Sequence, residues 1–201
     1  PVFRYDRRGV SDSEGENHGF EDSEPDIRAA LEAFRAIAPQ VNRVIGLGNC
    51  DAASALMLAG GAGCDGLILS NPWTIEDDTD SAPPPQDIRA RYAEKLRNPR
   101  EVARLLRGGV NLRKLGGGMM RAIRPAPPPS NLATRMRNAL DRFDGPVRIL
   151  LAEADRTAKV FDAAWPADDP RIARCPGASH AFVEPGSREW LEERILEVLR
   201  A

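Results

Sequence analysis

Short apolar runs alternate along this chain with longer segments in which apolar positions recur every three or four residues. The short runs predict buried strands, and the spaced segments predict amphipathic helices. The predicted strands are residues 1–5, 43–47, 66–70, 146–151 and 171–174. The helices predicted beside them are residues 22–38, 52–59, 131–143, 160–164 and 187–199. Because strands alternate with helices, we predict an α/β fold with a mostly parallel sheet and helices on both faces.

Residues 74–144 lack a clear strand pattern and predict a helical insertion, or cap, within the α/β core. The remaining residues, 1–73 and 145–201, form the predicted core. Helix patterns within the insertion are separated by clusters of glycine and proline. Long excursions of this kind are often lids or binding loops. The many basic side chains between Arg89 and Lys114 favour a solvated helix face over a site for an anionic partner.

The composition is that of a soluble globular protein. The chain has 201 residues, 42% of them hydrophobic and 29% charged, with a net charge of −2. A nucleic-acid surface would need a basic excess, so no nucleic-acid partner is expected. No apolar run is long enough to predict a membrane span.

Cysteine and histidine usage argues against a structural metal site. The three cysteines are widely spaced without a CxxC pair, and the two histidines lie far apart. An odd cysteine count favours a reducing compartment, so we expect a cytoplasmic protein. The acidic run at 76–80 lacks the glycine and terminal glutamate of an EF-hand, which favours a solvated loop. We expect neither a metal nor a cofactor.

Residues 43–59 combine a strand pattern, a polar turn and an alanine-rich helix pattern. Cys50 lies at the turn, with Gly48 two positions before it and Ala52 two positions after it. This is the pattern of a nucleophile elbow, with cysteine in place of serine. Small residues are needed because the end of the strand and the start of the helix nearly touch. We expect the positive end of the helix dipole to favour the Cys50 thiolate.

Three other interpretations of glycine, serine and cysteine positions were weighed against this one. A cysteine between a strand and a helix is usually a small buried hydrophobic residue. A dinucleotide-binding loop is disfavoured because Asp51 takes the place of the third glycine and would repel a pyrophosphate. Residues 9–13 imitate a serine elbow around Ser11, but Ser13 takes its fifth place and no apolar helix follows.

Two further residues complete a candidate catalytic triad with Cys50. Asp155 follows the predicted strand at 146–151, and His180 follows that at 171–174. Loops after parallel strands gather at one edge of the sheet. Nucleophile, acid and histidine in this order is the arrangement of α/β-hydrolases.

Each member of the triad has a chemical role. His180 takes the thiol proton, Asp155 fixes the tautomer of the imidazole, and the backbone N–H of Asp51 supplies one oxyanion donor. Open alternatives are that Asp155 only caps a helix, that Glu153 is the acid, and that His180 is a solvated loop histidine.

Several motifs resemble known families. Residues 4–15, RYDRRGVSDSEG, are similar to the strand and loop of α/β-hydrolases. The segments GNCDAAS (48–54), LILSNPW (67–73) and LLAEADRTA (150–158) resemble the exosortase A system-associated hydrolase 1 family. The resemblance implies an α/β-hydrolase encoded beside bacterial exopolysaccharide and protein-sorting loci, with no settled substrate. It supports Cys50 as nucleophile, Asp155 as acid and His180 as base.

The chain departs from that family pattern in two places. Ser11 stands where the hydrolase loop normally has glycine. The chain also begins at what would be the fourth strand of the fold, so the first three strands and the loop with the second oxyanion donor are missing. Either the sheet has a gap beside the elbow strand, or residues 1–5 pair directly with 43–47.

The expected function is hydrolysis of an ester or thioester of a small acyl substrate through an acyl-cysteine intermediate. The alternative is a non-catalytic remnant or binding module of the α/β-hydrolase fold. A transferase that passes the acyl group to an alcohol or amine would use the same triad.

Overall fold

The computed structural model describes residues 1–75 and 131–201. The predictions for helices at 87–96 and 99–106, for the acidic run and for the basic side chains of the insertion lie outside the described residues. The part up to Thr74 and the part from Asn131 onward belong to one compact unit.

The sheet has four strands, all parallel, in the order β1-β2-β3-β4. The strands are β1 (Ile45–Asn49), β2 (Gly66–Ser70), β3 (Val147–Ala152) and β4 (Ile172–Cys175). Register places Asn49 opposite Ser70 and Ala152 opposite Cys175, so the carboxyl ends of the strands lie along one edge. The predicted class, an α/β fold with a parallel sheet and flanking helices, is confirmed.

Five helices accompany the strands within the described ranges. They are α1 (Glu24–Ile37), α2 (Asp51–Leu58), α3 (Asn131–Leu140), α4 (Arg156–Ala164) and α5 (Ser187–Arg200). The predicted stripe of α1 is buried at Ile27, Leu31 and Phe34. Strong helix formers explain α2, in which Ala53, Ala55, Leu56 and Met57 are buried.

Side chains alternate between the two faces of the sheet. Leu67 and Ile149 point into a core shared with α1 to α4, whereas Ile68 and Leu150 point into a second core covered by α5. All four side chains are 1% exposed or less. Burying each of them fully stabilises the fold by about 1.5–3 kcal/mol relative to exposure. Two covered faces explain why β2 reads as a continuous apolar run.

Helix α3 packs within the sheet unit. Its residues Leu132, Met136 and Leu140 belong to the larger core and are no more than 2% exposed. The predicted division into a core and an insertion at 74–144 stays a prediction, because residues 76–130 lie outside the described ranges. Helix α3, which lies in the described end of that range, contributes to the core.

Residues 1–5 do not form a strand, so that prediction is wrong. An extended run becomes a strand only when a neighbour completes the hydrogen-bond ladder, and β1 pairs only with β2 among the described strands. The ring of Phe3 instead stacks on Phe34 of α1 with centroids 5.3 Å apart. Within residues 1–75 and 131–201, no strand pairs with the other edge of β1, and Leu47 in this strand is 56% exposed.

The loop after residue 5 takes the glycine-type backbone that its motif implies. Gly9 and Ser11 have φ of 67° and 52°. A Cβ at Gly9 would lie 2.5 Å from the backbone nitrogen of Asn17, so glycine is required there. Ser11, at the position where glycine is usual, adopts the left-handed region despite its side chain.

Candidate active site

Cys50 lies on a sharp turn between β1 and α2, with φ 60° and ψ −122°. A positive φ is unfavourable for any residue with a side chain, so the turn is strained. A Cβ at Gly48 would lie 2.6 Å from the backbone carbon of Ala52 and 2.6 Å from the backbone nitrogen of Ala53. The expectation that a larger residue at Gly48 would collide is confirmed, and the local geometry is that of a nucleophile elbow.

Hydrogen bonds to β2 and the segment after it hold the strained turn in place. Cys50 donates its backbone N–H to the carbonyl of Ser70 (2.9 Å), and its own carbonyl accepts from the N–H groups of Ser54 (3.2 Å) and Trp73 (3.4 Å). The hydroxyl of Ser54 donates to the carbonyl of Trp73 (2.8 Å). Ser54 is fully buried, so these bonds are shielded from water.

The pKa of the Cys50 thiol is raised from its ordinary value of 9.0. Burial is the largest cause, and the carboxylates of Asp51 and Asp155 add to it, whereas a hydrogen bond from the backbone N–H of Asp51 acts in the opposite direction. The backbone N–H at the start of α2 thus acts in the direction expected of a helix N-terminus, but burial and the two carboxylates outweigh it. At neutral pH the Cys50 side chain is a thiol, and it would need a base to remove its proton before it could act as a nucleophile.

Asp155 and His180 form a pair at the carboxyl ends of β3 and β4. Nδ1 of His180 lies 3.1 Å from Oδ2 of Asp155. The same Oδ2 accepts the backbone N–H of Ala158 (2.9 Å) and so caps α4. The capping role and contact with the histidine therefore coexist in one carboxylate. The rival acid, Glu153, is exposed, and its charge acts on Arg174.

Asp51, the first residue of α2, directly follows Cys50. Its backbone N–H acts to lower the pKa of the Cys50 thiol, which indicates that this donor faces the sulfur. Its carboxylate pairs with the guanidinium of Arg7 (2.9 Å). The loop that carries Arg7 is thereby tied to the start of α2. Use of the Asp51 N–H as an oxyanion donor stays a prediction.

Two asparagines of this site were not singled out from the sequence. Nδ2 of Asn49, at the end of β1, lies 3.2 Å from Nε2 of His180. Asn71, directly after β2, has φ 43° and is fully buried. Its position after a strand, at the same edge as the triad candidates, was the available signal, because a buried polar side chain there must find partners.

The remaining sequence candidates lie elsewhere or lack exposure. The imidazole of His18 is 52% exposed, and its Nε2 lies 3.9 Å from a carboxylate oxygen of Glu16. Cys64 and Cys175 are buried, and burial raises the pKa of Cys64.

Within residues 1–75 and 131–201, no group of three or more histidine, cysteine or acidic residues could hold a metal ion. None of the helices in these ranges is long and apolar enough to cross a membrane.

Comparison with known proteins gives structural neighbours only. No family model matches the chain. No curated protein matches it. The structure is similar to that of BpoC from Mycobacterium tuberculosis H37Rv, described as a non-heme bromoperoxidase, at 17% identity and a TM-score of 0.47, over 97% of this chain and 79% of that one. It is also similar to a fungal esterase from Rhizomucor miehei, at 15% identity and a TM-score of 0.42, over 88% of this chain and 58% of the esterase. At these identities and scores, neither neighbour defines the family or the activity of this chain.

Proposed function

We propose that this chain is an α/β-hydrolase that cleaves an ester or thioester of a small acyl substrate with the triad Cys50, His180 and Asp155. The observation that carries the proposal is the 3.1 Å contact between His180 and Asp155 at the sheet edge where β1 ends and Cys50 begins the elbow. A histidine oriented by a carboxylate, together with a nucleophile on a strained turn, is the arrangement of nucleophilic acyl transfer.

In the first half of the reaction, Nε2 of His180 takes the thiol proton of Cys50 while the sulfur attacks the carbonyl carbon of the substrate. A carbon–sulfur bond forms, and the carbonyl π electrons move to its oxygen, where the N–H of Asp51 stabilises the charge. When the tetrahedral adduct collapses, the bond to the leaving alcohol or thiol breaks. His180 returns its proton to that leaving group, which leaves an acyl-cysteine.

Water then repeats the sequence on the acyl-cysteine. His180 removes a proton from the water as its oxygen attacks the acyl carbon. Collapse breaks the carbon–sulfur bond, and His180 returns the proton to the sulfur, so the thiol of Cys50 is restored. The raised pKa of the thiol fits this course, because the base acts during attack instead of forming a stable thiolate beforehand. Alcohols and thiols leave more readily than amines, which favours esters and thioesters over peptides.

The second candidate function is that of a non-catalytic remnant or binding module. The observation that favours it is the amide of Asn49 next to Nε2 of His180, where an active enzyme needs the thiol. The raised pKa of Cys50 points the same way, since it leaves the sulfur weakly nucleophilic on its own. The two candidates differ in whether Cys50 reacts faster than an ordinary buried cysteine.

Hydrolysis of p-nitrophenyl acetate tests the first proposal against the second. We expect turnover by the wild type and by Cys64→Ala, and loss of turnover in Cys50→Ala and after alkylation with iodoacetamide. Intact-mass spectra after rapid quenching are expected to show one added acetyl group, absent from Cys50→Ala. Turnover that survives complete alkylation of Cys50 would refute the nucleophile. Labelling of Cys50 no faster than that of Cys64 or Cys175 would favour the remnant.

The biological setting is part of the same proposal. The resemblance of the GNCDAAS and LILSNPW segments supports a cytoplasmic hydrolase encoded beside exopolysaccharide and protein-sorting genes. Genes of other kinds on both sides of this coding sequence would contradict that setting. An alcohol or amine added to the p-nitrophenyl acetate assay separates hydrolase from transferase, because a transferase yields the acylated acceptor in place of free acetate.

A further inference from the structure

We propose that Asn71 is a positioning residue of the candidate site: acting through Asn49, it keeps Nε2 of His180 free of a proton. The inference deepens the proposed function, on which its catalytic meaning rests. The placement of the proton itself follows from a chain of hydrogen bonds that begins at two backbone groups.

The side chain of Asn71 has only one orientation that satisfies its neighbours. Its Oδ1 lies 2.9 Å from the backbone nitrogen of Ala152, and a backbone N–H can only donate. Its Nδ2 lies 3.0 Å from the carbonyl oxygen of His180, which can only accept. Turning the amide over would set donor against donor and acceptor against acceptor in a fully buried position.

Asn71 in turn fixes the amide of Asn49. The Nδ2 of Asn71 also lies 3.3 Å from Oδ1 of Asn49, which therefore accepts. The other end of the Asn49 amide, Nδ2, is left facing Nε2 of His180 at 3.2 Å. An amide nitrogen has only protons to offer, so Nε2 receives a hydrogen bond and carries no proton of its own.

The contact at Nδ1, the other nitrogen of the His180 ring, leads to the same conclusion about the proton. A neutral imidazole without a proton on Nε2 has it on Nδ1, which lies 3.1 Å from the carboxylate of Asp155. The network thus leaves the lone pair of Nε2 without a proton and directed at the amide of Asn49, the residue before Cys50. An unprotonated Nε2 is the state that a base for the Cys50 thiol requires. For proton transfer, the thiol must replace the amide of Asn49 at Nε2. While no substrate is bound, the contact with Asn49 holds the imidazole of His180 in place.

The test is nitrogen NMR of the full chain labelled with ¹⁵N-histidine, at alkaline pH where a free imidazole is neutral. The chain has only two histidines, so His18→Gln assigns the spectrum. We expect the wild-type His180 to be protonated on Nδ1. Asn71→Asp keeps an acceptor for Ala152 but removes the donor to Asn49, whose amide should turn and present its oxygen to Nε2. Nε2 is then expected to bind a proton beside the one that Asp155 keeps on Nδ1, under conditions in which the wild-type ring carries only the latter.

A second variant covers the case in which Asn71→Asp does not fold. Asn49→Asp keeps the acceptor for Asn71 and puts an acceptor opposite Nε2, so a proton on Nε2 is expected there as well. Asn42→Asp, the same change at an exposed position before β1, should leave the spectrum unchanged. A wild-type ring protonated on Nε2, or an Asn49→Asp ring without a proton on Nε2 under the same conditions, would overturn the inference.

The NMR experiment does not measure turnover, so this inference and the proposed function can be refuted independently. The expected tautomer in a protein without esterase activity would refute the proposed function and leave the proton placement standing. Turnover with the opposite tautomer would do the reverse.

Discussion

The two sides of the candidate site differ in how they are held. On the side of β3 and β4, Asp155 and His180 contact each other, and Asn71 bonds to the last residue of β3 and to the backbone carbonyl of His180. On the side of β1, no described strand pairs with the outer edge and Leu47 is exposed, so the contact that the start of α2 makes outward is the ion pair of Arg7 with Asp51. The outer side of the elbow thus depends on a surface ion pair, whereas its inner side and the Asp155–His180 pair are held by hydrogen bonds.

The largest expected effect on activity comes from a substitution on the side of β3 and β4. Asp155→Asn keeps an oxygen that can cap α4 and face His180 but removes its negative charge, so the charge that develops on the ring is not stabilised. We expect kcat to fall by about 10⁴-fold with the folded structure retained. Turnover assays and circular dichroism measure the two effects. Glu153→Gln is the control, and an equal loss in that variant would contradict the assignment of the acid.

The next effect concerns the elbow, where both sides meet. The Cβ of a valine at Gly48 would lie 2.6 Å from backbone atoms of α2, which cannot yield without displacing the helix. Gly48→Val should lower the free energy of unfolding by about 3 kcal/mol or more, as severe overpacking does.

Urea denaturation measures the change in stability. The comparison variant is Gly19→Ala, where nothing lies within 4 Å and only the positive φ of 83° is unfavourable. We expect it to cost about 1 kcal/mol. Equal losses in both variants would show that the contact between β1 and α2 is looser than the structure indicates.

The smallest effect lies on the open side and concerns pH. The carboxylate of Asp51 raises the pKa of Cys50, so Asp51→Asn should lower that pKa and leave more thiolate at a given pH. Because the carboxylate is 45% exposed and paired with Arg7, screening should keep the shift small. The rate of iodoacetamide labelling against pH gives the midpoint, which should lie above 9.0 in the wild type. An unchanged or higher midpoint in Asp51→Asn would contradict this account.

Much of the fold could be predicted because it depends on local patterns. The apolar run of β2 and the stripe of Ile27, Leu31 and Phe34 in α1 gave the right elements, with ends displaced by a few residues. The parallel sheet followed from their alternation. Residues 1–5 were mistaken for a strand because a strand needs a pairing partner, and partners are not visible in a local pattern.

One contact of the candidate site was predictable from the sequence, but its asparagines and its electrostatic balance were not. Chain order alone suggested Asp155 and His180, whose side chains do contact each other. The raised pKa of Cys50 was missed, since it depends on burial and on carboxylates brought near by folding. Asn49 and Asn71 were missed for the same reason, because an asparagine has no distinctive chemistry until its neighbours are known.

The backbone at Cys50 has a consequence for the choice between enzyme and remnant. Glycine would adopt φ 60° without the penalty, on the order of 1–3 kcal/mol, that any larger residue bears there. Replacing Cys50 by glycine should therefore relieve strain in the turn while removing the thiol that the proposed function requires. The proposed chemistry would thus be retained at a cost in folding stability.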